Sequence, residues 1–218
     1  MSISNIVELE EVVYNAIQDY LNNNKAFNMN KIVPYLHNIF KNISININKI
    51  GIQKIIANLV KKKKIVVGSK LTKKDILLIP KRKKIYDYIR KNPGTYFFRI
   101  LNELGLSNNV VVWHLSLLEK FDFIRKLKID NIDVYFESNL DLKEIKKFYI
   151  LSKEKYKNII QYLRINDTGI TKTQLSTELK IHHNTATKYL NSLLELEVIS
   201  CRRKSRKILY FLNENYLF

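Results

Sequence analysis

Apolar residues along the chain fall at helical spacing, interrupted three times by short stretches in which apolar and polar residues alternate. Each pass predicts the same order: helix, turn, helix, turn, longer helix, then a short β-hairpin. The middle pass is the clearest. KRKKIYDYIRK (81–91) sets Ile85, Tyr88 and Ile89 on one helical face. Asn92-Pro93-Gly94 ends that helix, because proline disfavours helix in the residue before it and glycine admits the turn. TYFFRILNEL (95–104) is the second helix and stops at Gly105. Ser107 is placed to cap a third helix over NNVVVWHLSLLEKF (108–121). FIRKLKI and IDVYFE then alternate around Asp130-Asn131, the signature of a hairpin.

The last pass runs through SKEKYKNIIQYLRIN (152–166), capped by Ser152 with Ile159, Ile160 and Leu163 inward. TKTQLSTELK (171–180), capped by Thr171, and HNTATKYLNSLLELE (183–197) follow. VISCRR and KILYFLN form its hairpin, with Lys204-Ser205 at the tip. The first pass is looser. Helices are expected over 7–23, over 29–40 with an interruption at Pro34, and over 48–60, and a hairpin from KIVVGSK to DILLI. The stretch KNISINI (41–47) between its second and third helices is longer than either later pass allows.

These patterns predict a mainly α fold with small β-hairpins, arranged as a tandem array of three winged-helix domains over 1–80, 81–140 and 141–218. With only 5 Gly and 3 Pro there is little material for long loops or a β-sandwich.

NPGTYFFRILNELGLSNNVVVWHLSLLEKFDFIRK (92–126) resembles archaeal winged helix-turn-helix regulators of the ArsR/MarR-like type. The matching positions are Asn92, Pro93, Gly94, Gly105, Leu106, Ser107, His114, Leu115, Leu118 and Glu119. LSTELKIHHNTATKYLNSLLELEVI (175–199) is similar in spacing, but has Ile181-His182 where those regulators have Leu-Ser and Tyr189 where they have His. The resemblance covers about 130 residues well and the first 80 weakly. It implies a DNA-binding, transcription-regulating protein and says nothing of its target.

In a helix-turn-helix the helix after the turn enters the major groove, and the hairpin wing lies beside it on phosphates or the minor groove. In the last pass, Ala186, Leu190 and Leu194 are expected inward, leaving His183, Asn184, Thr187, Lys188 and Asn191 outward. Asn can pair with adenine, Thr can touch a thymine methyl, and Lys can reach guanine or phosphate. The wing CRRKSRK brings Arg202, Arg203, Lys204, Arg206 and Lys207 together without an acid. In the middle pass the outward positions are Asn108, Asn109, Val112, Trp113 and Ser116, and the wing carries Asp130 and Asp133. Asn108 and Asn109 remain DNA candidates. Val112 and Trp113 suit a protein contact or a domain interface better, Trp113 alternatively being core if the helix is rotated, and His114 is expected to be a packed or capping histidine rather than a ligand. The first pass offers Lys61, Lys62, Lys63 and Lys64, then Lys70, Lys73 and Lys74, a stripe suited to sequence-independent phosphate contact.

The formal charge of +18 points to a polyanionic partner. Abundant Lys, Asn, Ile and Tyr are what an AT-rich genome encodes, so the arginines say more: 3 of 8 lie at 202, 203 and 206. Residues 1–80 carry 12 cations against 5 acids, residues 81–140 carry 11 against 7, and residues 141–218 carry 15 against 8. Basic ends and a near-balanced middle suit outer domains that grip DNA around a central organiser.

A single cysteine, Cys201, leaves no disulfide framework or cysteine-pair zinc site. His182 and His183 are adjacent and point apart, so no metal is expected. No phosphate-cradling glycine loop or nucleophile–base pair stands out, and neither catalysis nor a cofactor is expected. The start, MSISNIVELEE, lacks the basic and apolar regions of a signal peptide, and no apolar run reaches membrane-spanning length. A cytoplasmic protein with double-stranded DNA as partner is the expectation. The alternative is a protein-interaction scaffold of winged helices, like subunits of endosomal-sorting complexes or accessory polymerase subunits. The segment DLKEIKKFYIL (141–151) is a candidate dimerisation helix or an inter-domain connector.

Overall fold

The computed structural model describes residues 3–23 and 26–216, with backbone alone for residues 3–7. Met1 and Ser2, where the expected leaderless start begins, lie outside the described residues. The chain divides into two compact units, residues 1–139 and 140–218, so the expected boundary at 80/81 falls inside the first. The architecture is mainly helical with small antiparallel sheets, consistent with the winged-helix type.

The first unit holds two apolar cores. Helices α1 (Ile3–Asn23), α2 (Met29–Asn42) and α3 (Lys49–Lys61) close over the first, around Val13, Ile17, Ile32, Leu36, Phe40, Ile52, Ile56 and Leu59. Asn28 and Asn48 start α2 and α3 by accepting the backbone N–H of Asn30 and Gly51. The interruption expected at Pro34 does not occur: α2 continues through it. Val33 and Leu36 on either side of the proline are buried, and that packing outweighs the one lost backbone donor.

The hairpin expected from KIVVGSK to DILLI is also absent. Ile65 and Thr72 make a single antiparallel bridge, and Lys73–Ile76 is a short helix, α4. The Asp75 carboxylate accepts the Thr72 backbone N–H at 2.7 Å, so the chain turns helical where a second strand would continue.

Ile76 then enters the second core with Ile85, Ile89, Ile100, Val111, Leu115, Leu118 and Phe121. Its elements are α5 (Pro80–Lys91), β1 (Thr95–Tyr96), α6 (Phe97–Leu104), α7 (Asn108–Lys120), β2 (Ile124–Ile129) and β3 (Ile132–Glu137). The strands form an antiparallel sheet in the order β1-β3-β2. Helix α6 begins two residues later than the pattern predicts, because Thr95 and Tyr96 pair with Tyr135 and Val134. Asp130 and Asn131, at φ 50° and 63°, make the hairpin turn as expected.

The second unit comprises α8 (Leu142–Ser152), α9 (Glu154–Ile165), α10 (Lys172–Glu178), α11 (His183–Glu195), β4 (Ile199–Lys204), β5 (Lys207–Leu212) and a 3-10 turn, Glu214–Tyr216. Ile145, Tyr149, Tyr156, Ile159, Leu163, Leu175, Ala186 and Leu190 are among its buried residues. Ser152 is not the expected cap. It ends α8, donates its hydroxyl to the Tyr149 carbonyl, and leaves Lys153 as the N-cap of α9. Leu193, rather than Leu194, is the fully buried leucine of α11, since three residues on from Leu190 turns back to the core. The hairpin tip is Ser205-Arg206, one residue beyond the expected place, with Ser205 at φ 56°.

One local geometry occurs three times. Just before the second helix's N-cap the chain hydrogen-bonds the returning segment: the Phe27 N–H to the Ser69 carbonyl, the Gly94 N–H to the Tyr135 carbonyl, and the Ile170 N–H to the Tyr210 carbonyl. Lys63, Asp122 and Glu197, at φ 54°, 54° and 55°, each turn the third helix toward the bridge or strand that follows.

Candidate nucleic-acid interface

Caps fix the starts of helices α10 and α11. The Thr171 hydroxyl accepts the Gln174 backbone N–H while Gln174 Oε1 accepts from Thr171, a reciprocal box. His182 occupies the N-cap of α11, where its Nδ1 accepts the Asn184 N–H at 3.2 Å. The imidazole thus does the work of the serine expected there, and its capping nitrogen is occupied.

With Ala186, Leu190 and Leu193 buried, His183, Asn184, Lys188 and Asn191 lie exposed along α11. Thr187 is half-buried, and its hydroxyl donates to the His183 carbonyl at 2.9 Å, leaving no hydroxyl proton to offer a base.

In the hairpin, all five cations are exposed, and none has an ion-pair partner among the described residues. They do not share one face. The register pairs Arg202 with Leu209 and Lys204 with Lys207, so these three cations lie on the face of Phe211, whose ring Arg202 covers at 5.5 Å. Arg203, opposite Ile208, faces the other way, and Arg206 stands in the turn. A groove between the start of α10 and β5 adds Lys172 and Thr173 beside Arg206 and Lys207. Sequence reading missed both. The signal was the single β-bridge at Ile170, which lays the start of α10 against β5 and cannot be read from periodicity.

The lysine run of the first unit is partly committed elsewhere. Glu10, 8% exposed, accepts from Lys62 at 2.8 Å, from Lys64 at 2.9 Å and from Asn58. Burial pushes its carboxyl up, but the two ammonium groups outweigh that and hold it below the usual carboxylate range. Lys61 and Lys63 remain exposed. Lys74 pairs with Glu11 at 2.6 Å, and Lys73 reaches the Asp122 carbonyl and lies over the Phe123 ring. Lys62, Lys64, Lys73 and Lys74 of the expected stripe are therefore held by contacts within the first unit, although Lys62 and Lys74 stay about half exposed. Glu10 could have been spotted, since 10, 13, 14 and 17 share one helical face.

On α7, Asn108 and Asn109 are exposed at its start, and Val112 and Trp113 are exposed a turn later. His114 is buried, with Nδ1 unpartnered; burial, and then Arg82 and Lys81, push its pKa below the usual imidazole value. The residue that sequence reading missed is Arg82. It is 1% exposed, donates to the Ile76 carbonyl at 2.8 Å, and has its guanidinium 5.1 Å from the centre of the Trp113 ring. Its position three and seven residues before Ile85 and Ile89 was the available clue.

No group of His, Cys, Asp or Glu that could hold a metal occurs among the described residues, and no described helix is long and apolar enough to cross a membrane.

Two short helices meeting across a turn, with a basic hairpin behind the second, make a helix-turn-helix arrangement. In sequence the chain is similar to an uncharacterized HTH-type transcriptional regulator of Methanocaldococcus jannaschii, 28% identical over 147 residues. The aligned part is 67% of this chain and 37% of that protein, so the chain spans little more than a third of its relative's length. No protein-family model matches the chain. Among solved structures, the mRNA-binding domain of elongation factor SelB from E. coli, in complex with SECIS RNA, is 12% identical with a TM-score of 0.24. That comparison covers 62% of this chain and 99% of that one, and the likeness is too slight to carry an argument.

Proposed function

We propose that the protein is a transcriptional regulator of the helix-turn-helix class that binds double-stranded DNA and performs no chemistry on it. The reading takes the chain as three winged helices of the ArsR/MarR-like type, over 1–80, 81–140 and 141–218, working in the cytoplasm. The observation that supports it is the second unit's pairing of an exposed polar helix with a hairpin of five cations that have no ion-pair partner among the described residues. Asn184, Lys188 and Asn191 read base edges in the major groove, with His183 at the helix start. Arg202, Arg203, Lys204, Arg206 and Lys207 neutralise phosphates and set register. Asn108, Asn109, Lys61 and Lys63 add weaker contacts, while Lys62 and Lys64 first answer to Glu10.

Fluorescence anisotropy on a duplex pool of ~30 base pairs at several salt concentrations tests this. Affinity falls steeply with salt if phosphate contacts dominate, by roughly 0.9 in log–log slope for each phosphate neutralised. A wild-type affinity that ignores salt, or that survives replacement of all five hairpin cations, overturns the assignment.

A further inference from the structure

Trp113 is the chain's only tryptophan, and it is 55% exposed on the outward side of α7. A surface indole is ordinarily free to swing. This one is held from beneath: the Arg82 guanidinium lies under one face, and the His114 ring, 4.8 Å away and tilted by 53°, packs beside it. Arg82 is itself unusual. It is withdrawn from water with no carboxylate paired to it among the described residues, and its Nε has no hydrogen-bond partner. A desolvated cation without a counter-charge is costly, and the indole face is the compensating negative surface within reach.

Two consequences follow for the open face. The ring is fixed in place, so little side-chain freedom is lost when something stacks on it. The cation beneath also draws the ring's electrons inward, so the outer face disfavours a second cation and suits a neutral heteroaromatic plane. Around it stand Asn109, one turn before with an amide able to bond a base edge, and Lys81, whose charge is felt at His114. The position equivalent to Trp113 in the second unit is Lys188, which suits a duplex groove; a bulky ring does not.

We propose that Trp113 is a stacking platform for an unpaired nucleobase of a single-stranded nucleic acid, with Arg82 as the residue that positions it. A base inside a duplex has both faces covered by its neighbours, so the platform selects a strand that is melted or single. Stacking tolerates any base, and Lys81 is a cation available to the backbone phosphates. The middle segment thereby gains an activity separate from duplex recognition.

The test uses the full chain, whose tryptophan emission reports on Trp113 alone. A 15-nucleotide single strand, an abasic strand of equal length, the matching duplex and polyglutamate are titrated separately. Saturable quenching by the single strand, without it from the abasic strand or polyglutamate, supports the platform. DNA and RNA strands of one sequence are compared: quenching by either supports it, and the stronger response names the source. Trp113→Ala is expected to weaken single-strand binding by about 5- to 100-fold in anisotropy while leaving duplex binding unchanged. Trp113→Phe, which preserves packing, retains intermediate affinity. Equal quenching by the abasic strand or by polyglutamate overturns the proposal, the latter in favour of an acidic protein partner. So does equal single-strand binding by wild type and both variants.

Discussion

The Arg82 guanidinium sits 5.1 Å below the centre of the Trp113 ring, joining the buried face of α5 to the exposed face of α7. Removing a buried charge is destabilising when it strands a partner charge, and Arg82 has no carboxylate paired to it among the described residues, so its removal mainly relieves desolvation. Arg82→Met is therefore expected to leave the unfolding temperature unchanged or raised, and to shift the Trp113 emission as the ring loses its support. A clear fall in unfolding temperature would show that the hydrogen bond to the Ile76 carbonyl outweighs the buried charge.

Glu10 gives the first unit a defined acid response. Its folded pKa is lowered, so the stabilisation is fully present above the unfolded carboxyl value, near 4.3, and is lost as pH falls through the folded value. Glu10→Gln is expected to cost about 1–3 kcal/mol at pH 7, and to remove part of the wild-type loss of stability below about pH 4. Thermal unfolding followed from pH 7 down to pH 2.5 compares the two; parallel curves would remove Glu10 from the account.

The two faces of the hairpin should act unequally in DNA binding. Arg202, Lys204 and Lys207 share one side, and Arg203 lies on the other. A triple alanine variant of the first set is expected to lower the salt slope by roughly 2–3, and Arg203→Ala by at most about 1. Equal effects from the triple and single variants would mean that the hairpin meets DNA edge-on.

Gly169 holds the turn before α10 at φ 88°, where an added Cβ would come within 2.5 Å of the Phe211 ring. Gly169→Ala combines left-handed strain with a displaced ring, and Arg202 lies over that ring. The expected cost is about 1–3 kcal/mol, with duplex affinity falling alongside. Unchanged denaturant midpoints would show that Phe211 moves freely.

Periodicity was enough to find the helices other than α4 and, in part, α8, the two hairpins of residues 124–137 and 199–212, the outward face of α7 and, Thr187 apart, that of α11, because each follows from side-chain spacing along one element. The Asp130-Asn131 turn was legible for the same local reason. The first hairpin was misread because Ile65–Val67 and Ile76–Ile79 look like strands until Asp75 caps a helix between them. Ser152 was misread as a cap because α8 runs on to include it.

What the sequence alone determined is the order of elements, the polar face of α11 and the charge of its hairpin, all properties of neighbours in the chain. Tertiary structure decided which charges are free. Lys62 and Lys64 are taken by Glu10 some fifty residues away, and Lys74 by Glu11. Arg82 is carried inward beneath Trp113. Counting cations along a chain treats each as solvated. Only packing reveals which have been withdrawn from water, because desolvation and pairing depend on residues distant in sequence.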